Sequence, residues 1–250
     1  VFVTQIEDAL RAGHIDLAVH SAKDLSSRLP DDMALAAFLP RADPRDVLVS
    51  RDGSRLADLP PGARVGTSSP RRACQVSAIR PDLVLLDIRG NVDTRLRKLD
   101  EGQYEAIVLA AAGLERLGLQ DRATEWFDPG VMLPAVAQGA LAVEVRAADQ
   151  ATAELAARLN DAPTSTAVRA ERAFLAAIGG SCALPIGAYA TLEGYSLRVR
   201  GMIGAAEGRI VRGEHTGTAT DPESAGAALA SMLLDNGGRE LVAAEEAARP

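Results

Sequence analysis

The sequence predicts an α/β fold with a mostly parallel sheet in its first half and a separate, smaller α+β unit after about residue 162. Short apolar runs alternate with amphipathic stretches up to Leu109-Ala110, and helix-start signals follow strand ends at Ser69-Pro70 and Asn91. Beyond Asp161-Ala162-Pro163 the pattern changes to alternating strands framed by helices.

Ile6, Ala9 and Leu10 lie at helical spacing, and Gly13 can end that helix. Ile15 to His20 reads as a strand leading into a polar turn, and Val47-Leu48-Val49 and Arg64-Val65-Gly66 as two more. Ser69 is a good N-cap with Pro70 at the first helical position, which predicts a helix from Pro70 to about Ile79. Leu83 to Leu86 reads as a continuous apolar strand. Asn91 caps a helix through Leu99 that ends near Gly102, and Ala106 to Ala110 reads as a buried strand. A strand over Leu141 to Val145 and a helix from Thr152 to Leu159 complete the first part. The second part has a helix from Thr164 to Ala177 and strands at Ala188 to Leu192, Ser196 to Ile203 and Arg209 to Glu214. A last helix is capped by Asp221 with Pro222 behind it.

The chain has 250 residues, 47% hydrophobic and 24% charged, which excludes a disordered chain. Its net charge of −7 and 3% aromatic content speak against nucleic-acid binding. Cys74 and Cys182 are too few for a disulfide framework, so a reducing compartment is expected. The chain starts at Val1 with no charged segment ahead of an apolar stretch, and no run approaches a membrane span, so neither a signal peptide nor a membrane partner is expected. Three histidines and two cysteines without ligand spacing predict no metal site.

Four segments could carry chemistry. His20-Ser21-Ala22-Lys23-Asp24 closes a predicted strand, at the edge where open α/β sheets bind ligands. Lys23 and Asp24 there could bind an anion and handle a proton, or could simply pair as surface ions. Gly66-Thr67-Ser68-Ser69-Pro70-Arg71-Arg72 runs from a strand into a helix N-terminus. The helix dipole disfavours cations there, so two arginines in the first turn point to an anionic ligand, unless they merely face solvent. Asp87 to Lys98 repeats the arrangement with Arg89 and Arg95. From Pro61 to Asp100 there are eight Lys+Arg against four Asp+Glu, a basic stretch in an acidic chain. No Walker-type or dinucleotide-binding glycine motif is present. Cys182 lies in Gly179-Gly180-Ser181-Cys182-Ala183-Leu184-Pro185, a loop that would leave its thiol available for covalent chemistry, whereas Cys74 sits inside a predicted helix as a small core residue.

These segments, with Leu133-Pro134-Ala135-Val136-Ala137-Gln138-Gly139-Ala140 and Gly180 to Gly187, resemble the porphobilinogen deaminase (hydroxymethylbilane synthase) family, in order and over essentially the whole chain. The resemblance implies a transferase of porphyrin and heme biosynthesis. It would join four porphobilinogen molecules head to tail, releasing ammonia each time, into hydroxymethylbilane. Growth would occur on a dipyrromethane cofactor bound covalently to Cys182 through a thioether. Asp24 matches the catalytic carboxylate, also in contact with the cofactor. Ser21, Lys23, Thr67, Ser68, Ser69, Arg71 and Arg72 match cofactor-binding positions. Arg89 and Arg95 match arginines for substrate carboxylates, and Arg116, Gln138 and Phe2 match further substrate-binding positions. No metal is implied. A monomer in the cytoplasm, with porphobilinogen as its small-molecule partner, is expected.

The resemblance implies three domains. Two resemble the lobes of type II periplasmic binding proteins: residues 1–39 with 140–157, and residues 43–133. The third, residues 162–250, is the small α+β domain with the cysteine loop. Family members carry a stretch ahead of the position of Val1 that holds an arginine, a serine and two lysines of the site. An inactive truncated fragment, or a non-catalytic anion-binding protein of the same fold, is therefore the competing expectation.

Overall fold

The structure is a computed structural model that describes residues 2–179, 184–205 and 208–247; the side chain of Phe2 lies outside this description. Three sheets organise it. The first has the order β1 (Leu17–Ser21), β8 (Leu141–Arg146), β2 (Met33–Phe38), with both pairings antiparallel. Helix α1 (Phe2–Arg11) packs on it, ending just before Gly13.

The central sheet has five strands. Strands β4 (Arg64–Gly66), β5 (Val84–Leu86) and β6 (Ala106–Ala110) alternate with α2 (Pro70–Ile79) and α3 (Val92–Asp100). Each helix carries the chain back to the starting edge, so β4 pairs in parallel with both β5 and β6. Strand β3 (Asp46–Ser50) enters without a helical crossover and pairs antiparallel with β6 and with the short β7 (Glu125–Trp126). The expected mostly parallel sheet is therefore mixed: the βαβ units are parallel and the entering strand is not. Alternate residues of the central strands bury against opposite layers. Leu48, Ala106 and Val108 join one core, and Val47, Val49, Ile107 and Leu109 the other. Strand β5 lies at the sheet edge, with Val84 44% and Leu86 38% exposed, so its apolar run reflects edge position and not full burial.

Beyond the short α4 (Ala111–Glu115) and α5 (Gln150–Ala157), the chain enters α6 (Ala162–Ile178). The third sheet, β9 (Ile186–Glu193), β10 (Ser196–Gly204) and β11 (Ile210–Thr218), is an antiparallel meander. Helices α6 and α7 (Pro222–Leu233) cover one face of it, and α8 (Arg239–Ala247) follows. Asp149, Asp161 and Asp221 cap α5, α6 and α7 by accepting backbone N–H bonds. Strand β2 has no counterpart among the sequence expectations. Its run Met-Ala-Leu-Ala-Ala-Phe is rich in alanine, which carries no strand preference and no clear alternation.

The strands that leave and re-enter the first sheet meet in two connecting segments, residues 39–45 and 134–140. They press together closely. A Cβ on Gly139, whose φ is +88°, would stand 2.5 Å from the Ala42 carbonyl oxygen. Ala137 adopts φ +60°, the one left-handed non-glycine among the described residues, and its N–H donates to Glu171 Oε2 at 2.7 Å. Glu171, fully buried on α6, also accepts two bonds from Arg41 at 2.6 and 3.1 Å and one from the Ala190 N–H. Breaking a buried pair leaves an uncompensated charge, whereas an exposed pair is worth little. Glu171→Ala should thus lower unfolding stability by about 3–5 kcal/mol. Glu223→Ala, which removes the exposed partner of Arg169, should cost under about 1 kcal/mol. Urea denaturation of both variants checks the contrast.

Candidate active site

The site begins with one carboxylate. Asp46 opens β3 with no solvent exposure and sits between the first turn of α2 and the connecting segment at Gln138. Arg71 Nη1 donates to Asp46 Oδ2 at 2.6 Å, and Arg72 donates through Nε and Nη2 to Oδ1 at 3.0 and 2.7 Å. Gln138 Nε2 adds a bond at 2.9 Å. Burial would push the Asp46 carboxyl upward, but the two guanidiniums beside it hold it well below the usual carboxylate range. The pair explains why arginines occupy a helix start that the dipole makes unfavourable for cations. Ser69 caps α2 by accepting the Arg72 N–H at 3.4 Å, and Thr67 Oγ1 accepts the Ser69 N–H at 3.2 Å.

Two adjoining cavities open around this core. The larger, about 310 Å³, is lined by Lys23, Asp24, Ser68, Ser69, Arg71, Arg72, Arg95 and Gln138, with an apolar wall at Val136, Leu175, Leu184 and Ile186. The smaller, about 220 Å³, shares Lys23, Arg72, Arg95 and Gln138 and adds Ser21, Asn91 and Arg116. Strand β1 and the helical turn Ala22–Asp24 after it thus deliver Ser21, Lys23 and Asp24 to the same cleft as the α2 and α3 starts. The strand is anchored below by His20, whose Nε2 lies 2.9 Å from buried Glu144 Oε2. Burial raises the Glu144 carboxyl, with His20 opposing that shift.

The cleft is cationic. Burial and the nearby Arg72 push the Lys23 amine down to about 8, with Asp24 and Asp46 opposing. Burial and Arg72 also lower Arg95. Arg95 donates Nε to the Gly90 carbonyl at 2.8 Å and has no carboxylate partner among the described residues. Gly90 permits this turn: its φ is +118°, and a Cβ there would stand 2.6 Å from Thr94. Asp24 makes no hydrogen bond or ion pair among the described residues.

The remaining positions divide. Arg116 reaches the Gly139 carbonyl at 3.2 Å beside the smaller cavity. Ser68 exchanges hydrogen bonds with the Ile88 backbone while lining the larger one. Thr67 is buried and lines neither. Arg89 lies outside both cavities, with its side chain 89% exposed and paired to Asp87, although the sequence placed it among substrate-binding residues. Its position just before the Gly90 turn points it to solvent, where α3 instead presents Arg95. Phe2 falls in α1, its side chain outside the described set. Cys182 also lies outside the described residues; Leu184, two positions on, is part of the cavity wall. Cys74 is a buried thiol whose Sγ donates to the Ala205 carbonyl at 3.1 Å, and burial pushes it up to about 11.

Sequence reasoning did not single out Asp46. A lone aspartate before Val-Leu-Val carries no motif, and its role appears only when α2 folds over the start of β3. No cluster of three or more His, Cys, Asp or Glu able to hold a metal occurs among the described residues, and no described helix is long and apolar enough to cross a membrane.

The donor set suits a polyanionic pyrrole cofactor. Lys23 and Arg95 face the cleft without a bonded carboxylate. Gln138 offers a buried Oε1 with no partner while its Nε2 is committed to three acceptors: Asp46 and the carbonyls of Pro44 and Arg45. The first can neutralise carboxylates, and the second can accept a pyrrole N–H. The depressed Lys23 also has a consequence for stability. Between about 8 and its ordinary value near 10.4, the unfolded chain holds more protons than the folded one, so this residue's contribution to stability rises with pH through that window. Limited labelling with an amine-reactive reagent, read by peptide mass spectrometry, should show half-maximal reactivity of Lys23 near pH 8. A midpoint at the ordinary lysine value would contradict its desolvation.

Comparison with known proteins is consistent across the chain. Residues 1–154 match the family model "Porphobilinogen deaminase, dipyromethane cofactor binding domain", and residues 165–235 match "Porphobilinogen deaminase, C-terminal domain". Porphobilinogen deaminase of Roseiflexus sp. (strain RS-1) is 63% identical over 97% of this chain and 80% of its own length. The Thermus thermophilus protein of the same name is 49% identical over 97% of this chain and 81% of its own. Among solved structures, the Bordetella pertussis BvgS VFT2 domain aligns with 63% of this chain and 65% of its own at 18% identity and a TM-score of 0.39. On the family matches and the identity to these relatives, the chain belongs to the porphobilinogen deaminase family.

Proposed function

We propose that the cleft holds dipyrromethane attached to Cys182 and that porphobilinogen is condensed there, with loss of ammonia, into hydroxymethylbilane. The observation that carries this reading is the pairing of an unengaged carboxylate, Asp24, with a wall of cationic donors in one cavity that Leu184 also lines. When bound, dipyrromethane supplies the pyrrole carbon to which the first substrate unit is joined.

The chain's own residues divide the work. Lys23 and Arg95, which have no bonded carboxylate among the described residues, bind and orient side-chain carboxylates. Arg71 and Arg72 are both tied to Asp46 and to a backbone carbonyl, Leu133 for Arg71 and Val108 for Arg72, so they act chiefly by fixing the α2 start and lending positive charge to the cavity wall. Ser21, Ser68 and Ser69 offer hydroxyls at the cavity wall, and Thr67 supports Ser69. Arg116 holds the Gly139 turn at the margin, and Gln138 accepts a pyrrole N–H through Oε1. Asp24 stabilises the positive charge that develops as ammonia leaves porphobilinogen and then receives the ring proton. The apolar wall of Val136, Leu175 and Ile186 excludes water from this carboxylate's partner and strengthens the attraction. We read the three sheets as the cores of the three domains, and the protein as a cytoplasmic monomer.

Intact mass spectrometry of wild type should reveal added mass equal to two pyrrole units, absent from Cys182→Ser; an unmodified wild type would sink the cofactor assignment. Asp24→Asn should retain that mass while turnover falls by about 10²–10⁴-fold, the range of a positioned proton-transfer group. Hydroxymethylbilane formation by stopped assay checks it, and near-normal turnover would remove Asp24 from the chemistry.

A further inference from the structure

A second, arginine-rich cavity lies on the other side of the connecting segments. Its volume is about 540 Å³, and its wall is formed by residues 41–45, Pro129, Tyr189, Thr191 and Arg200. It shares no lining residue with either cavity of the cleft. Strand β9 separates the two regions by its pleat. Ile186 lines the cleft and Ala188 and Ala190 are buried, while Tyr189 and Thr191 face the second cavity.

Three guanidiniums meet there. Arg41 and Arg200 flank the Tyr189 ring, 5.2 and 5.3 Å from its centroid, and Arg45 stacks on Trp126 at 4.7 Å. Arg41 is neutralised by Glu171 and Arg45 by Asp43. Arg200 has no carboxylate: neither an ion pair nor a hydrogen bond from it is found among the described residues, and its Nε is buried without a partner. Asp128, close by, accepts the Gly130 N–H at 2.6 Å. Arg45 Nη1 and the hydroxyls of Tyr189 and Thr191 also lack hydrogen-bond partners among the described residues.

A guanidinium carries five N–H donors; the Arg200 Nε is closed off from the cavity, and the N–H groups of its two terminal nitrogens have no acceptor among the described residues. Stacking on tyrosine supplies no such acceptor. Beyond the Asp43 and Glu171 carboxylates that pair with Arg45 and Arg41, the wall leaves Arg200, Arg45 Nη1 and the two hydroxyls without an acceptor among the described residues. We propose that this cavity binds a small oxyanion, the phosphate or carboxylate group of a metabolite, with Arg200 as its principal ligand and Arg45, Tyr189 and Thr191 as the remaining donors.

The position connects it to the cleft. Arg41 Nε donates to the Gln138 carbonyl at 2.8 Å, and Gln138 Nε2 bonds both the Pro44 carbonyl and Asp46. An anion on Arg200 and Arg45 therefore rests on the same backbone, residues 41–45, that leads into the carboxylate holding Arg71 and Arg72. Bound there, it restrains the connecting segments without entering the cleft.

Titration calorimetry of the full chain with inorganic phosphate, and separately with citrate, tests this. Wild type should show saturable binding that Arg200→Met weakens at least tenfold and that Arg95→Met, in the cleft, leaves in place. The tighter of the two probes distinguishes a phosphoryl from a carboxylate ligand. Circular dichroism melting establishes that Arg200→Met folds. Should it not fold, Arg200→Lys and Thr191→Val take its place, each expected to weaken binding several-fold because the forked donor or the hydroxyl is lost. Binding unchanged in the folded Arg200 or Thr191 variants, binding abolished by Arg95→Met alone, or no saturable binding of either probe would overturn the proposal.

Discussion

The arrangement rests on the Asp46 carboxylate. A fully buried charge is tolerable only when paired and hydrogen-bonded, and Asp46 has two guanidiniums and an amide around it. Each partner comes from a different part of the chain. Arg71 and Arg72 open α2, Gln138 belongs to a connecting segment, and Asp46 itself opens β3. One carboxylate thereby fixes the distance between the central sheet and the segments that join it to the first sheet. It also leaves the cluster with one net positive charge, since two arginines meet one aspartate. That surplus faces the cleft, where Lys23 and Arg95 add to it.

Burial, and after it this surplus, set the electrostatics of the neighbours. Lys23 and Arg95 both lie below their ordinary values, with Arg72 a cause in each case after burial. A site whose cations suppress one another is poised for a ligand that brings several carboxylates, because each negative group relieves repulsion as well as forming its own contact. The overall charge of −7 has no bearing on this, since the acidic residues are largely outside the cleft. Asp24 is the one acid in the larger cavity's wall, and it is unpaired where Asp46 is saturated. The two aspartates differ by environment: one is consumed in holding structure, and the other is available to a reacting cation.

Much of this was legible in the sequence because it is local. Caps and prolines placed α2 and the start of α7, and the Gly66 to Arg72 and Gly90 to Arg95 turns announced the basic helix starts that line the cleft. What the residues could not report is long-range pairing. The antiparallel entry of β3 depends on which sheet edge is open after β2. The difference between Arg89 and Arg95 depends on the direction of one turn. Arg71 and Arg72 read alike in sequence, yet Arg71 is also held at its Nη1 by the Leu133 carbonyl, whereas Arg72 is held by Val108 and lines both cavities. Asp46 and Glu171 went unremarked for the same reason: isolated acids gain meaning only from arginines 25 and 130 positions away.

Glu171 does for the third sheet what Asp46 does for the second. It ties Arg41, Ala137 and Ala190 to one buried carboxylate, holding Ala137 in a left-handed conformation that alanine does not favour. The connecting segments are thus clamped from both sides, by Asp46 through Gln138 and by Glu171 through Arg41, and Arg41 and Gln138 bond each other between the clamps. A cleft open to the lengthening polyanion proposed above needs the segments around it positioned without filling it. Placing both structural carboxylates behind the cavity wall, with their charge spent on arginines, achieves that. It leaves Lys23, Arg95 and the carboxylate of Asp24 without a bonded charge partner and so available to the ligand.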